Sequence, residues 1–489
     1  MKYIIVLDAG TTSVRAFVYD LQSQRFIHCA QQPVGLSLPR SGWVEQDADE
    51  IYYKSAYVIN DCMRVAGAEN VARVGIANQR EAVVMWNRET GEPVCPVIGW
   101  QCRRTSAWCA ALDSQTKELV RARTGLVPDA YFSASKIVWN FEHIPAVRAL
   151  FREGKLCAGT IDSYLIYKFT EHRSFVTDVT NASRTMLFNI HTMAWDEELL
   201  RTFSIPREIL PEVRDSDARM GEICVGGHTI PVAGVAGDQQ AALFGQACLR
   251  AGEGKITYGT GLFLLFHTGE TCVNSESGLL TTAACRVRGK TAYALEGSCF
   301  HAGSGVQWLR DKLGLISSAA ESGTLAESIP DTGGVSFVPA FTGLGAPYWD
   351  PEARGLFSGI TQSTGRAELV RAVLESIAFG ARDLADCMQK DSGVPLSAIR
   401  CDGGVSANDF LMQFQADVLG APVDRPVERE STALGAAMLA MLSADLTDEK
   451  ELSRLRRSER VFAPDLSVRD AREVGYREYR NAVCRALLR

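Results

Sequence analysis

The sequence predicts an α/β protein with two related domains and a cleft between them. The chain has 489 residues, which is too long for one ordinary hydrophobic core. A short apolar strand, a turn rich in glycine and hydroxyl side chains, and a second strand open the chain, and the same arrangement returns near its middle. A repeat of this kind indicates two domains built on one plan. We expect them to span residues 1–248 and 249–489, because the pattern breaks over residues 246–254.

The first unit opens with a predicted β-meander whose strands cover residues 3–7, 14–19 and about 25–31. The turn between the first two strands, residues 8–13, offers consecutive backbone N–H groups and three hydroxyls, an arrangement that binds anions. Arg15 follows as a fixed positive charge for a phosphoryl group. Asp8, at the strand end, is a candidate Mg²⁺ ligand. An ordinary surface turn is the alternative interpretation.

Asp238 stands where an apolar strand ends in glycine and a helix-forming run, residues 239–244, begins. A carboxylate at a strand tip is placed to accept a proton from a substrate hydroxyl. Aspartate is also a preferred N-cap of helices, so this segment alone leaves both roles open.

The second unit repeats the design, with strands predicted over residues 255–258, 262–267 and 291–296 and a Gly-Thr-Gly turn at 259–261. Two such turns favour a pair of phosphate-binding loops over two ordinary surface turns. Apolar periodicity predicts helices over residues 366–388 and 407–419, and the charge-rich tail from residue 445 is expected to be helical. Asn408, after two glycines, either contacts a flat ligand or caps the second of these helices.

Two common nucleotide motifs do not occur in the sequence. The segment from Gly252 to Lys255 is similar to the end of a P-loop, but Leu249 replaces the leading glycine and Ile256 replaces the hydroxyl residue. A Gly-x-Gly-x-x-Gly run that opens a helix is also missing. A nucleotide site in this chain is therefore expected to be of another kind.

Composition restricts the partners and the compartment. The net charge of −7 argues against nucleic acid as the main partner. No stretch approaches 18 uninterrupted apolar residues, and the apolar start is too short for a signal peptide, so we expect no integral membrane segment. The fourteen scattered cysteines are expected to be reduced thiols in the cytoplasm. We expect a homo-oligomer, either a dimer or a tetramer.

Several longer blocks of sequence point to one family. They are residues 42–45 (GWVE), 78–81 (NQRE), 100–105 (WQCRRT), 181–190 (NASRTMLFNI), 237–245 (GDQQAALFG) and 341–351 (FTGLGAPYWDP). With the two turns, in this order, the chain resembles the ATPase fold shared by sugar kinases, actin and Hsp70-type chaperones. Over almost its whole length it is similar to the FGGY carbohydrate kinases, and most of all to those that phosphorylate glycerol.

This resemblance implies an activity and a set of site residues. The reaction would be ATP-dependent phosphorylation of glycerol to sn-glycerol 3-phosphate, with ADP as the second product, Asp238 as the general base and Mg²⁺ held by Asp8 and Asp238. The polyol site would consist of Arg80, Glu81, Trp100, Tyr131, Asp238, Gln239 and Phe263. ATP would bind Thr11, Thr12, Ser13, Arg15, Thr260, Gly303, Gln307, Gly404 and Asn408.

The chemistry of the polyol residues suits a triol. Glu81 and Asp238 accept hydrogen bonds from hydroxyls, and Arg80 and Tyr131 donate them. The rings of Trp100 and Phe263 can face the CH groups. Arg80 and Glu81 are adjacent, so on a regular strand they would point to opposite faces of the sheet. For both to reach one triol, the chain at residues 78–81 must be a strand end or a loop.

The sequence departs from the usual family pattern at two positions, and two alternative functions stay open. Ala9 and Ala82 stand where the family usually has Gln and Thr. The nearest alternative function is a kinase for another small polyol or a ketose. An alternative of a different class is a nucleotide-switched binding protein similar to actin or Hsp70.

Overall fold

The computed structural model describes residues 1–487, and within them two large mixed β-sheets, of six and seven strands, organise the chain. The strands up to residue 237 are β1 (Tyr3–Ala9), β2 (Ser13–Asp20), β3 (Arg25–Pro33), β4 (Glu45–Gln46), β5 (Val71–Asn78), β6 (Val84–Asn87), β7 (Val97–Ile98), β8 (Leu156–Gly159), β9 (Val176–Asp178), β10 (Phe188–Asn189), β11 (Ala194–Trp195), β12 (Glu212–Arg214), β13 (Arg219–Val225) and β14 (His228–Gly237). The helices of this part are α1 (Ala48–Ala66), α2 (Ser106–Ala111), α3 (Ser114–Thr124), α4 (Ser133–His143), α5 (Pro145–Arg152), α6 (Ile161–Phe169), α7 (Val179–Ala182), α8 (Glu197–Thr202) and α9 (Asp238–Gly245).

The remaining strands are β15 (Glu253–Tyr258), β16 (Leu262–Gly269), β17 (Leu280–Val287), β18 (Lys290–Cys299), β19 (Ser336–Val338), β20 (Leu356–Ser358), β21 (Ala398–Asp402), β22 (Val423–Pro426) and β23 (Ser458–Phe462). The remaining helices are α10 (Gly303–Asp311), α11 (Ala319–Glu327), α12 (Arg366–Ser392), α13 (Asp409–Leu419), α14 (Ser431–Ser443), α15 (Glu449–Leu455) and α16 (Arg469–Leu487). Short 3₁₀ turns lie at Ala68–Asn70, Arg207–Ile209, Gly404–Ala407 and Leu466–Val468.

The first sheet has the strand order β13-β14-β5-β1-β2-β3. Strands β1, β2 and β3 form the predicted antiparallel meander, and β5 and β14 extend the sheet as strands parallel to β1. Residues 4–7 of β1 are fully buried. A continuous apolar strand of this kind is expected where both faces of a sheet are covered.

The second sheet has the order β17-β18-β16-β15-β21-β22-β23 and repeats the plan of the first. Strands β15, β16 and β18 pair antiparallel, and β21 and β22 continue the sheet parallel to β15. The predicted repeat of the strand–turn–strand unit is confirmed, and in each sheet parallel strands that the sequence did not predict follow it. Strand β17 was not predicted; it lies outside β18 at the sheet edge.

The predictions for the second half were partly wrong in its tail. Helices α12 and α13 confirm the two periodic segments, although α13 begins at Asp409 instead of residue 407. The tail after residue 445 is not wholly helical, because β23 pairs with β22 at the edge of the second sheet. Three of the five residues of β23 are exposed serine or charged residues, which is typical of an edge strand. A search for helical periodicity does not detect such a strand.

Helix α14 packs against the first sheet although it lies in the second half of the chain. Its side chains share one apolar cluster with Ile4 and Val6 of β1 and with Phe244 of α9. Helices α1 and α6 cover the opposite face of that sheet. The two halves are therefore joined by α9 and α14, and the boundary at residue 248 stays a proposal.

Candidate functional site

The parallel strands of the first sheet end side by side. Ala9 of β1 pairs with Asn78 of β5, which in turn pairs with Gly237 of β14. The residues that follow these ends therefore lie at one edge of the sheet. In open α/β sheets, ligands bind at this edge, outside the carboxyl ends of parallel strands.

The chain leaves strand geometry directly after Asn78, as the adjacency of Arg80 and Glu81 predicted. The backbone N–H of Gln79 donates to the carbonyl of Ala9 (2.9 Å), and Glu81 adopts a positive φ of 64°. This conformation is uncommon for a residue other than glycine. The Glu81 carbonyl accepts from the Ser133 hydroxyl (3.1 Å) and from Lys136 Nζ (2.9 Å), which hold the bend in place.

Arg80 and Glu81 belong to a buried network of four charges. Arg80 donates to Glu296 through Nη1 (2.7 Å) and Nη2 (3.1 Å). Arg184 donates to Glu81 through Nε (2.6 Å) and to Glu296 through Nη2 (3.0 Å). All four residues are almost completely buried. Burial acts to raise the pKa of Glu296, but the attraction of Arg184 and Arg80 outweighs it and holds this pKa at about 2.

Asp238 is the first residue of α9 and lies beside this network. Its Oδ1 is 3.4 Å from Arg80 Nε, and about a third of its side chain is exposed. Gly237 occupies the N-cap position, so the interpretation of Asp238 as the helix cap is wrong. Burial raises the pKa of Asp238 above its ordinary value, and the negative charge of Asp8 adds to this, while Arg80 opposes it.

Two aromatic residues predicted for the polyol site have their rings in contact. Trp100 and Tyr131 meet edge to face with ring centroids 5.6 Å apart. Trp100 Nε1 also donates to the Thr11 hydroxyl (3.0 Å), which links this side to the turn after β1. Phe263 lies on β16 opposite Thr257 of β15. The side-chain oxygen of Gln239 accepts from Lys255 Nζ (2.8 Å).

The turn after β1 closes as a tight loop. The N–H of Gly10 donates to the carbonyl of Ser13 (3.0 Å), and Thr12 at the tip is exposed. Arg15 pairs with Asp8 (2.6 Å) and with Glu430 (2.7 Å), which precedes α14. Burial raises the pKa of Asp8 although Arg15 lowers it.

Residues from the second half of the chain line a cavity of about 800 Å³. Its lining includes five of the predicted nucleotide residues, namely Thr260, Gly303, Gln307, Gly404 and Asn408. The structure thus brings these five together, whereas Thr11 and Thr12 lie in the turn between β1 and β2, and Ser13 and Arg15 lie on β2. Asn408 caps α13 by accepting from the N–H of Leu411 (3.1 Å), as predicted, and it lines the cavity as well.

Sequence reasoning missed several residues around the site. Lys136 and Lys255 are fully buried, and Glu296 and Arg184 complete the charge network. Burial lowers the pKa of Lys136 to about 7, because a charged amine is disfavoured away from water. Arg184 lies in the block at residues 181–190, which could have drawn attention to it. Glu296 lies in a strand segment that carries no recognisable motif, so no local pattern indicated its role.

In the described part of the chain, no group of three or more His, Cys, Asp or Glu side chains is arranged to hold a metal ion. Among the same residues, no helix is long and apolar enough to cross a membrane.

Two sheets of the same plan, with candidate ligand sites beyond the carboxyl ends of their parallel strands, are typical of the α/β kinase fold. Comparisons with known proteins agree. Residues 3–245 match the N-terminal domain and residues 254–444 the C-terminal domain of the FGGY family of carbohydrate kinases. The chain belongs to this family.

Two glycerol kinases match nearly the whole chain. It is 49% identical to a glycerol kinase of Treponema denticola, with 99% of each chain covered. It is 50% identical to glycerol kinase 2 of Thermotoga maritima, with 100% of this chain and 99% of the relative covered.

Among solved structures, Plasmodium falciparum glycerol kinase with ADP superposes with a TM-score of 0.94 at 36% identity, covering 100% of this chain and 99% of that one. A ligand-bound xylulose kinase from Lactobacillus acidophilus has a TM-score of 0.90 at 23% identity, covering 99% of each chain, and shows the shared fold alone.

Proposed function

We propose that the protein catalyses the ATP-dependent phosphorylation of glycerol to sn-glycerol 3-phosphate. The observation that carries this proposal is the grouping of Asp238, Arg80 and Glu81 at the carboxyl ends of β5 and β14, in a chain about half identical to glycerol kinases. Phosphoryl transfer requires mainly positioning and charge stabilisation, which this grouping and the two loops supply.

Asp238 accepts the proton of the reacting hydroxyl. The hydroxyl oxygen forms a bond to the γ-phosphorus, the bond from that phosphorus to the β–γ bridging oxygen breaks, and ADP leaves. The raised pKa of Asp238 brings its basicity closer to the operating pH, which favours a general base. Its exposed third leaves an edge of the carboxylate open to a substrate.

Arg80 and Glu81 bind the other hydroxyls of glycerol, together with Gln239. Trp100 and Phe263 enclose the hydrocarbon edge and limit the length of the substrate, and Tyr131 donates a hydrogen bond to it. The rigid bend at Glu81, fixed by Ser133 and Lys136, keeps both charged side chains at the same site. Binding a small triol in this way uses charged groups for orientation and rings for size selection.

ATP binds between the two sheets. Its adenosine part occupies the cavity lined by Thr260, Gly303, Gln307, Gly404 and Asn408, whose volume suits a ligand of this size. Thr11, Thr12, Ser13 and Arg15 contact the phosphates from the first sheet, where the loop supplies N–H and hydroxyl donors. Closure of the two halves would exclude water from the reaction.

Asp8 and Asp238 fit a divalent cation. Asp8 is buried and Asp238 is partly buried, and the charge of Asp8 raises the pKa of Asp238, so the two carboxylates repel each other when both are ionised. Mg²⁺ in kinase sites uses one or two carboxylates together with substrate phosphates. When bound, Mg²⁺ neutralises phosphate charge during transfer.

The test is ADP release measured with glycerol, dihydroxyacetone, erythritol and xylulose, with Asp238→Asn as the inactive control. We expect glycerol to give the highest kcat/KM. A preference for xylulose would overturn glycerol as the substrate, and ADP release that no polyol stimulates would favour a nucleotide-switched binding protein. Cytoplasmic location and a dimeric or tetrameric state stay predictions.

A further inference from the structure

Glu296 belongs to the second sheet, yet its carboxylate contacts side chains from the first half of the chain. It lies on β18, opposite Leu265 of β16. Its two oxygens accept three hydrogen bonds, two from Arg80 and one from Arg184. These contacts connect β18 with the bend after β5 and with the segment after α7.

The carboxylate of Glu296 fixes the orientation of Arg80. A guanidinium group has five N–H donors in a rigid plane, and a bidentate carboxylate holds that plane in one orientation. Glu296 and Gln240 engage both Nη1 donors and one Nη2 donor. The Nε–H stays free to point toward Asp238 Oδ1 (3.4 Å) and Glu81 Oε1 (3.6 Å).

The charge balance of the network explains why this orientation matters. Arg80, Arg184, Glu81 and Glu296 carry two positive and two negative charges in a buried region. Without the charge of Glu296, both guanidinium groups would be drawn toward Glu81 and Asp238. Those carboxylates would then be less available to hydroxyl groups of a substrate.

We propose that Glu296 is a positioning residue for polyol binding. From its place on the second sheet, Glu296 holds the side chains of Arg80 and Arg184, which belong to the first half of the chain. The polyol site therefore depends on contact between the two halves. This inference rests on the proposed function, because it concerns the same site. Glu296 itself need not touch the substrate.

The experiment compares Glu296→Gln and Glu296→Asp with the wild type in steady-state kinetics. Gln is isosteric but places an NH₂ group against guanidinium donors, whereas Asp keeps the charge on a shorter side chain. Glu375→Gln is the matched control, because Glu375 is another buried glutamate, paired with Arg371 (2.8 Å) in α12. Each variant is examined by thermal unfolding, and KM and kcat are measured for the polyol that the wild type uses best.

We expect Glu296→Gln to raise the polyol KM by at least about tenfold while the ATP KM stays within about twofold. Glu296→Asp should recover part of this loss, and Glu375→Gln should leave both KM values near those of the wild type. If Glu296→Gln does not fold, an intermediate rise in polyol KM for Glu296→Asp supports the proposal.

An unchanged polyol KM in folded Glu296→Gln, or in folded Glu296→Asp if only that variant folds, would overturn the inference. Equal rises in the KM for polyol and ATP would also overturn it, since they indicate a general structural role. A wild type without polyol-stimulated ADP release would instead refute the proposed function, so the two failures are distinguishable.

Discussion

Gly245 of α9 and Gly435 of α14 lie against each other where the two helices cross. A Cβ on Gly435 would overlap the carbonyl oxygen of Ala241, and one on Gly245 would overlap the carbonyl oxygen of Ser431. The helix backbones therefore touch directly. Because α9 begins with Asp238, this crossing sets the position of the proposed base relative to the first sheet.

Replacing Gly435 with alanine should separate the two helices. Overpacking typically costs about 1–3 kcal/mol, and we expect the free energy of unfolding to fall by an amount at or above the upper end of this range. Since α9 carries Asp238, kcat should fall as well. Thermal unfolding and steady-state kinetics measure the two effects.

Gly475→Ala is the control for this change, because Gly475 is also in a helix, where a Cβ would lie 3.3 Å from the Phe379 ring. Its stability should change little, as alanine also gains up to about 1 kcal/mol in helix propensity. A Gly435→Ala protein with wild-type melting temperature and kcat would contradict the close crossing.

Asp238→Asn preserves the shape of the side chain and removes its basicity. We expect kcat to fall by roughly 10²-fold or more, because positioned bases contribute about 10²–10⁴-fold. In the wild type, kcat/KM should decline toward acid pH as Asp238 is protonated. Its raised pKa places this decline above the pH range of an ordinary aspartate. Asp113→Asn, at an exposed helix cap, serves as the control, and near-normal turnover of folded Asp238→Asn would remove Asp238 from this role.

Thr12→Val removes one hydroxyl from the tip of the first loop with little change of volume. The ATP KM should rise by roughly two- to tenfold, which corresponds to the loss of one hydrogen bond of about 0.5–1.5 kcal/mol. The glycerol KM should be nearly unchanged. Thr202→Val is the control, because Thr202 is an exposed threonine on α8, and it should leave both KM values unchanged. A change in the glycerol KM alone would show that the loop does not contact ATP.

Glu81→Ala removes a proposed hydroxyl acceptor and the partner of Arg184. We expect kcat/KM for glycerol to fall by roughly tenfold to a hundredfold, a cost of about 1–3 kcal/mol, with ATP binding spared. Stability should also fall, because Arg184 loses one of its two buried carboxylate partners. Glu375→Ala controls for the loss of a buried pair, and a silent Glu81→Ala would argue against glycerol as the substrate.

Lys136 should make stability depend on pH. Burial lowers its pKa from the ordinary lysine value of 10.5 to about 7 in the folded protein, so above pH 7 the unfolded chain binds a proton that the folded one does not. Stability contributed by this group therefore increases with pH from about 7 toward 10.5, with a slope approaching about 1.4 kcal/mol per pH unit.

Denaturant unfolding between pH 7 and 8.5 tests this by comparing the wild type with Lys136→Met, in which the group cannot titrate. The difference in free energy of unfolding should shift in favour of the wild type as pH rises. Lys117→Met, at an exposed position, should show no such trend. A difference that is constant with pH would contradict the lowered pKa.

Local sequence patterns alone predict the repeated strand–turn–strand plan and the bend beside the candidate site. The strand–turn–strand units at residues 3–19 and 255–267 follow from local patterning, since apolar runs interrupted by glycine and threonine leave little choice of local structure. The adjacency of Arg80 and Glu81 likewise forced a bend after Asn78, because a strand alternates its faces. The roles of the site residues stay predictions.

Which distant segments meet could not be predicted from local patterns, because those contacts form only when the whole chain folds. Glu296 lies 216 positions from Arg80 along the chain, and no local pattern indicates that a strand of the second sheet supplies the counter-charge for the first. For the same reason, local patterns did not predict the contact of α14 with β1 or the pairing of β23 at the sheet edge. Once both sheets have formed, each remaining buried charge needs a counter-charge and each remaining apolar face needs a packing partner. Which segments supply them depends on the whole fold and not on local sequence.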